Sequence, residues 1–157
     1  MRRNIIFAGP ELAFLKELIK NKVPFMIVGL SSAALQGAPV VTQDVDLWFK
    51  DLRHPGILKA LKKVGGTYVP PWTSTQTPPL FAGEAVELFD IVTHMHGLES
   101  FDKEANNALE IPLEGFKVKV LPLERVIASK KAANRQKDRI VLPVLRDALV
   151  AQGKDRS

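Results

Sequence analysis

Two aspartates set two residues apart open the chemistry of this chain: Asp44 and Asp46 lie in the run Asp44-Val45-Asp46-Leu47-Trp48-Phe49. The alternation of polar and apolar residues predicts a strand from Asp44 to Phe49. Residues i and i+2 of a strand share a face, so both carboxylates point the same way with Trp48, and Val45, Leu47 and Phe49 take the other side. Two like charges side by side repel, which is costly in a purely structural role. A divalent cation relieves that cost. Mg²⁺ takes oxygen ligands, commonly one or two carboxylates plus substrate phosphates, and Mn²⁺ is the alternative ion. The plainer reading is an exposed edge strand with two solvated aspartates.

A glycine turn precedes this pair by fifteen residues. Pro24 to Val28 is a short apolar run that reads as a buried strand, Gly29 ends it, and Ser31 to Gln36 reads as a helix closed by Gly37. A helix N-terminus offers unpaired N–H groups and partial positive charge, hence a phosphate site, in which Gly29 permits close approach and Ser31 and Ser32 add hydroxyls. Asp90 is the third acidic candidate. It stands in Val86-Glu87-Leu88-Phe89-Asp90-Ile91-Val92 on the face of Leu88 and Val92, a position expected to be buried, where a carboxylate calls for a metal ion or a basic partner. A salt bridge to a neighbouring Lys or Arg is the alternative there. His94 and His96 follow closely, but the only other histidine is His54, and a zinc site would need carboxylate help, so they read as loop residues.

The elements that must position these groups follow from periodicity. Glu11 to Asn21 has helical spacing, with Pro10 suited to a first turn. Ile57 to Val64 is an amphipathic helix ended by Gly65 and Gly66. Thr67 to Gly83, broken by Pro70, Pro71, Pro78 and Pro79, is a long loop or a pair of short edge strands. Ala85 to Thr93 and Phe116 to Leu121 read as strands, Leu123 to Asn134 as a helix, and Lys137 to Gln152 as a helical region kinked or restarted at Pro143. Strands separated by helices make an α/β domain with a mixed β-sheet flanked by helices and a helical C-terminus. The 157 residues correspond to one domain, with a core over about 25–121 and C-terminal helices over about 122–152.

Composition narrows the function classes. The chain has no cysteine, which removes disulfides, thiolate chemistry and Cys-bound zinc and fits a reducing cytoplasm. The apolar run after Arg3 stops at Gly9-Pro10, too short for a signal peptide, and no stretch reaches the roughly 20 apolar residues that span a bilayer, so no membrane role is expected. Net charge is +5, concentrated in Lys130, Lys131, Arg135, Lys137 and Arg139. Such a patch suits nucleotides or RNA, and equally describes a solvated helix face. An RNA-binding module built on this tail finds little support, because aromatics are few and no RNA-binding motif is present.

Taken together, Val28-Gly29-Leu30-Ser31-Ser32 and Thr42-Gln43-Asp44-Val45-Asp46-Leu47 resemble the minimal nucleotidyltransferases of the DNA-polymerase-β-like superfamily, in which a Gly-Gly or Gly-Ser turn precedes a helix and an Asp-h-Asp strand follows. The likeness is nearest to the AbiEii-type nucleotidyltransferases of abortive-infection and toxin–antitoxin systems. Leu121-Pro122-Leu123-Glu124 followed by Lys130, Arg135, Lys137 and Asp138 is similar to the ending of that group. Lys130 continues the inward stripe of Val126 and Ile127, which suits a phosphate ligand better than a solubiliser. The resemblance implies transfer of a nucleoside monophosphate from an NTP to an acceptor hydroxyl on RNA, a protein or a small molecule. It implies that Asp44, Asp46 and Asp90 hold Mg²⁺, that Asp90 helps deprotonate the acceptor, that Gly29, Ser31 and Ser32 cradle phosphate, and that Lys130 neutralises the leaving pyrophosphate. Trp48 could stack on a base. The sequence departs from the pattern at Leu30, where a small residue is usual, and at Val40, where a basic one is. Leu30 motivates the alternative of a catalytically degenerate protein of this fold that binds nucleotide, RNA or a partner protein.

Overall fold

Strand β1 (Phe25–Val28) is apolar at every position and wholly buried, because it runs through the middle of a sheet covered on both faces. The computed structural model describes residues 7–153. Its elements run α1 (Gly9–Lys20), β1, α2 (Gly29–Leu35), β2 (Val45–Phe49), α3 (Pro55–Lys63), β3 (Thr67–Val69), β4 (Leu80–Ala82), β5 (Phe89–Val92), α4 (Phe101–Asn106), β6 (Leu109–Leu113), β7 (Phe116–Val120), α5 (Leu123–Ala133) and α6 (Gln136–Ala151). Five strands form a mixed sheet in the order β5-β2-β1-β7-β6, and β3 with β4 forms a separate two-stranded ribbon. The β1–β2 and β6–β7 pairings are antiparallel, and β1–β7 and β2–β5 are parallel.

The period of two along each strand divides the core. Phe25, Ile27, Val45, Leu47 and Phe49 face one side, where Phe14, Leu15 and Leu18 of α1 and Ile57, Ala60 and Leu61 of α3 pack on them. Met26, Val28 and Trp48 face the other, covered by Ala33 and Ala34 of α2, Leu123 and Val126 of α5 and Leu145 of α6. The result is a three-layer α/β arrangement, as the element pattern predicts. Among the described residues no helix is long and apolar enough to cross a membrane.

Four sequence expectations need correction. The strand predicted from Ala85 is only Phe89–Val92, because the chain from Gly83 to Val86 is spent in turns (Val86 N–H and Glu87 N–H to the Gly83 carbonyl, Phe89 N–H to the Val86 carbonyl). Asp44 lies just outside β2, which begins at Val45. Pro143 does not restart the last helix. Its ring is on the exposed side of α6, which stays continuous, and water can satisfy the carbonyl that loses its partner. Finally, α4 and β6 were not foreseen: α4 has six residues, too few for a helical stripe, and β6 carries Pro112, which is tolerated because β6 is an edge strand.

Candidate active site

The junction of β1 and α2 is built around a glycine because the backbone must turn left-handed there. Gly29 has φ +65°, and a Cβ at this position would lie 2.5 Å from Oδ2 of Asp46. Any other residue would be strained and would press on that carboxylate. Ser31 closes the same corner. Its hydroxyl donates to the Val28 carbonyl (2.6 Å) and accepts from the Asp46 backbone N–H (3.1 Å), so it clamps the first turn of α2 to β2. Ser32 donates to the Leu121 carbonyl and accepts from Gln36 Nε2 (3.0 Å). Gln36 also bonds the Leu121 carbonyl (2.9 Å) and accepts from the Leu123 N–H (3.0 Å), tying α2 to the β7–α5 junction. The expected phosphate cradle is revised accordingly. Ser31 and Ser32 are 1% and 0% exposed, and their hydroxyls hold the scaffold together rather than facing a ligand.

The carboxylates come together across two strands. Asp46 and Asp90 are directly paired in the parallel β2–β5 register, which puts both on one face. Asp46 is partly buried, whereas Asp90 and Asp44 are exposed. The burial expected of Asp90 is therefore wrong, because a four-residue strand at the sheet edge leaves its side chain open. Burial and then the negative charge of Asp90 push the Asp46 carboxyl up to about 6; Lys130 and Lys137 pull against that, and Asp44 adds to it. Asp90 is itself raised, first by burial and then by Asp44. The three share one electrostatic field. Among the described residues, however, no three His, Cys, Asp or Glu side chains are grouped closely enough to form a metal site by themselves.

A cationic wall faces them from the α5–α6 hairpin. Asn134 ends α5 in the left-handed conformation (φ 50°), and the chain turns directly into α6. Asp138, wholly buried, caps α6 by accepting from the Arg135 N–H (3.0 Å) and holds the Arg135 guanidinium through Nε (2.7 Å) and Nη2 (3.2 Å). Lys130 Nζ reaches the same carboxylate at 3.4 Å and is itself 17% exposed in its side chain. Burial pushes the Asp138 carboxyl up, but the hydrogen bonds from Arg135 and the charges of Lys130 and Arg135 outweigh it and bring it to about 2. Lys130 thus continues the inward stripe, as its spacing predicts.

These parts enclose a cleft of about 350 Å³. Gly29 and Asp46 line it from the sheet, Lys130 and Ser129 from α5, Arg135 and Lys137 from the α5–α6 turn and the start of α6, and His94 and His96 from the segment after β5. His94 and His96 are loop residues, as their sequence context predicts, but neither their place in this cleft nor that of Ser129, Arg135 and Lys137 follows from local sequence. The basic run signalled Arg135 and Lys137, but nothing local shows that the segment after β5 folds over the sheet. Trp48 does not line the cleft. It is 4% exposed and packs edge-on against Phe101, with ring centroids 5.4 Å apart, as a core residue.

No protein-family model and no curated protein matches the chain. Among solved structures it is similar to the nucleotidyltransferase ANT(2'')-Ia in complex with adenylyl-2''-tobramycin, with a TM-score of 0.57 and 14% identity over 92% of this chain and 88% of that one. It is also similar to the solution structure of the antibiotic-resistance factor ANT(2'')-Ia, with a TM-score of 0.58 and 14% identity over 92% of this chain and 83% of that one. The chain has the nucleotidyltransferase fold. Shared architecture at this identity carries the scaffold and not the chemistry, which has to be argued from the cleft. The likeness to AbiEii-type proteins rests on the residue pattern alone.

Proposed function

We propose that this protein transfers a nucleoside monophosphate from an NTP to an acceptor hydroxyl, releasing pyrophosphate. One observation carries the reading: Asp46, partly buried and crowded by the charges of Asp90 and Asp44, lines a cleft whose opposite side presents Lys130, Arg135 and Lys137. Opposed acidic and basic walls of this kind suit a polyphosphate carrying a divalent cation.

The donor set fits Mg²⁺. A carboxylate raised to about 6 by burial and two like charges is one that a cation would stabilise. Asp46 and Asp90, neighbours in the β2–β5 register, would hold the ion, with triphosphate oxygens completing its ligands and Asp44 adding negative charge nearby; when bound, it neutralises phosphate charge in the transfer. The protein's own groups do the rest. The acceptor oxygen attacks the α-phosphorus, and the bond to the bridging oxygen breaks, so the pyrophosphate leaves with that electron pair. Asp90, exposed and with a raised carboxyl, takes the acceptor's proton. Lys130, fixed by Asp138, offsets the charge that grows on the leaving group. Gly29 lets the backbone approach the site without a side chain. The acceptor belongs to RNA, a protein or a small molecule.

The test is incubation of the purified protein with each α-labelled NTP, Mg²⁺ or Mn²⁺, and total RNA or lysate, with Asp46→Asn alongside. Label on an acceptor with the native protein and none with the variant supports the reading. Absence of both labelling and calorimetric Mg-NTP binding overturns it.

A further inference from the structure

We propose that His94 and His96 are polyphosphate-binding residues of the cleft, donating imidazole N–H hydrogen bonds to phosphate oxygens alongside Lys130 and Lys137. The inference rests on the nucleotidyl-transfer reading and deepens it. The segment that carries the histidines is anchored on both sides of them. Met95 and Leu98 pack into the core layer beneath α5, and the Leu98 N–H closes a turn onto the Met95 carbonyl (3.4 Å). Gly97 has φ +71°, and a Cβ there would run into Ala132 Cβ and lie 3.4 Å from the Ala128 carbonyl, so the segment is docked against α5 where a side chain would push it away. Met95 is half-buried between the two exposed histidines and lines the cleft with them.

Both imidazoles are exposed, both line the 350 Å³ cleft, and their rings stand 5.4 Å apart at 83°. The cleft gives them a defined target. Two of its three cations, Lys130 and Arg135, share the single buried charge of Asp138, so the cationic wall is weaker than its residue count suggests. A triphosphate presents more oxygens than that wall can satisfy. Imidazole N–H groups lining the same cleft supply further donors to those oxygens. Gly97 acts as the positioning residue.

The experiment measures binding of Mg-tripolyphosphate, and of each Mg-NTP as a non-hydrolysable analogue, by titration calorimetry. Native protein is compared with the His94→Ala/His96→Ala double variant and with a His94→Gln/His96→Gln variant that keeps donors. Both histidines are exposed, so fold retention is checked by circular dichroism and melting. Loss of about tenfold or more in affinity for tripolyphosphate and NTP alike in the alanine variant, partly restored by glutamine, is expected. Unchanged binding of both ligands overturns the assignment, as does a loss confined to the NTP, which would place the histidines on the base. A native protein that binds neither ligand overturns the transferase reading and this inference with it. Gly97→Ala, checked for its fold in the same way, is expected to weaken tripolyphosphate and NTP binding alike; unchanged binding of both in a folded variant would remove Gly97 from this role.

Discussion

Lys130 Nζ lies 3.4 Å from Oδ1 of Asp138, a carboxylate with no exposed surface that also grips Arg135. One buried aspartate therefore sets the position of two cations that line the cleft. Asp138→Asn would leave Lys130 and Arg135 without their anion. It is expected to cost about 3 kcal/mol in urea unfolding, the scale of breaking a buried pair, and to weaken Mg-NTP binding. The pH dependence follows from the depressed carboxyl. Because the folded value, about 2, lies below the ordinary 3.8, the stabilisation is complete above about pH 4 and is lost as pH falls toward 2. Melting curves across that window should slope in the native protein and be flatter in Asp138→Asn.

Asp46 runs the other way. Its carboxyl is raised to about 6 from 3.8, so the folded state holds a proton that the unfolded state has released. The metal-free protein should gain stability as pH falls from about 6 to 4, by ~1–2 kcal/mol. Asp46→Asn should remove that gain, melt at least as high as the native protein at pH 7.5, and lose transfer by a hundredfold or more, roughly the effect of removing a charge-stabilising group. A variant melting well below the native protein at neutral pH would refute the charge-crowding account.

Gly29→Ala forces a side chain into a left-handed position 2.5 Å from Asp46 Oδ2. The expected cost is about 1–2 kcal/mol, together with loss of transfer as Asp46 is displaced. Unfolding curves and the labelling assay, run on the same preparation, read the two effects separately.

Ser31→Ala separates scaffold from ligand. The hydroxyl joins the Val28 carbonyl to the Asp46 N–H, so its removal should cost about 1–3 kcal/mol of stability. Ser32→Ala should cost about 1 kcal/mol, because the Leu121 carbonyl keeps Gln36 as a donor. A rise in KM without a change in stability would return these serines to the phosphate site.

The helices and strands with strong periodicity were legible in the sequence: α1, α2, α3, α5, and the central strands β1 and β7. The face that carries Asp46 and the inward position of Lys130 were legible, because the period of two and the helical stripe are local signals. Asp90 was singled out on a wrong premise, its burial. Its strand looked long because Val86 and Leu88 are apolar, yet those residues lie in the approach to the strand, where burial comes from packing and not from pleating. Ser31 and Ser32 were misassigned because a serine after a glycine turn has the same sequence whether its hydroxyl meets a phosphate or a strand. The histidines read correctly as loop residues, but their place at the cleft depends on Gly97 meeting Ala132, a contact 35 residues apart in the chain.

The bonds from Ser32 and Gln36 to Leu121 and Leu123 span more than eighty residues. As the chain leaves the ribosome, the carboxylates and the glycine turn are made long before their opposing cations. Until Leu121 and the hairpin beyond it have followed, α2 lacks its anchor and the acidic strand faces solvent. The cleft therefore stays open through most of synthesis and closes in one late step, when α2 meets the β7–α5 junction.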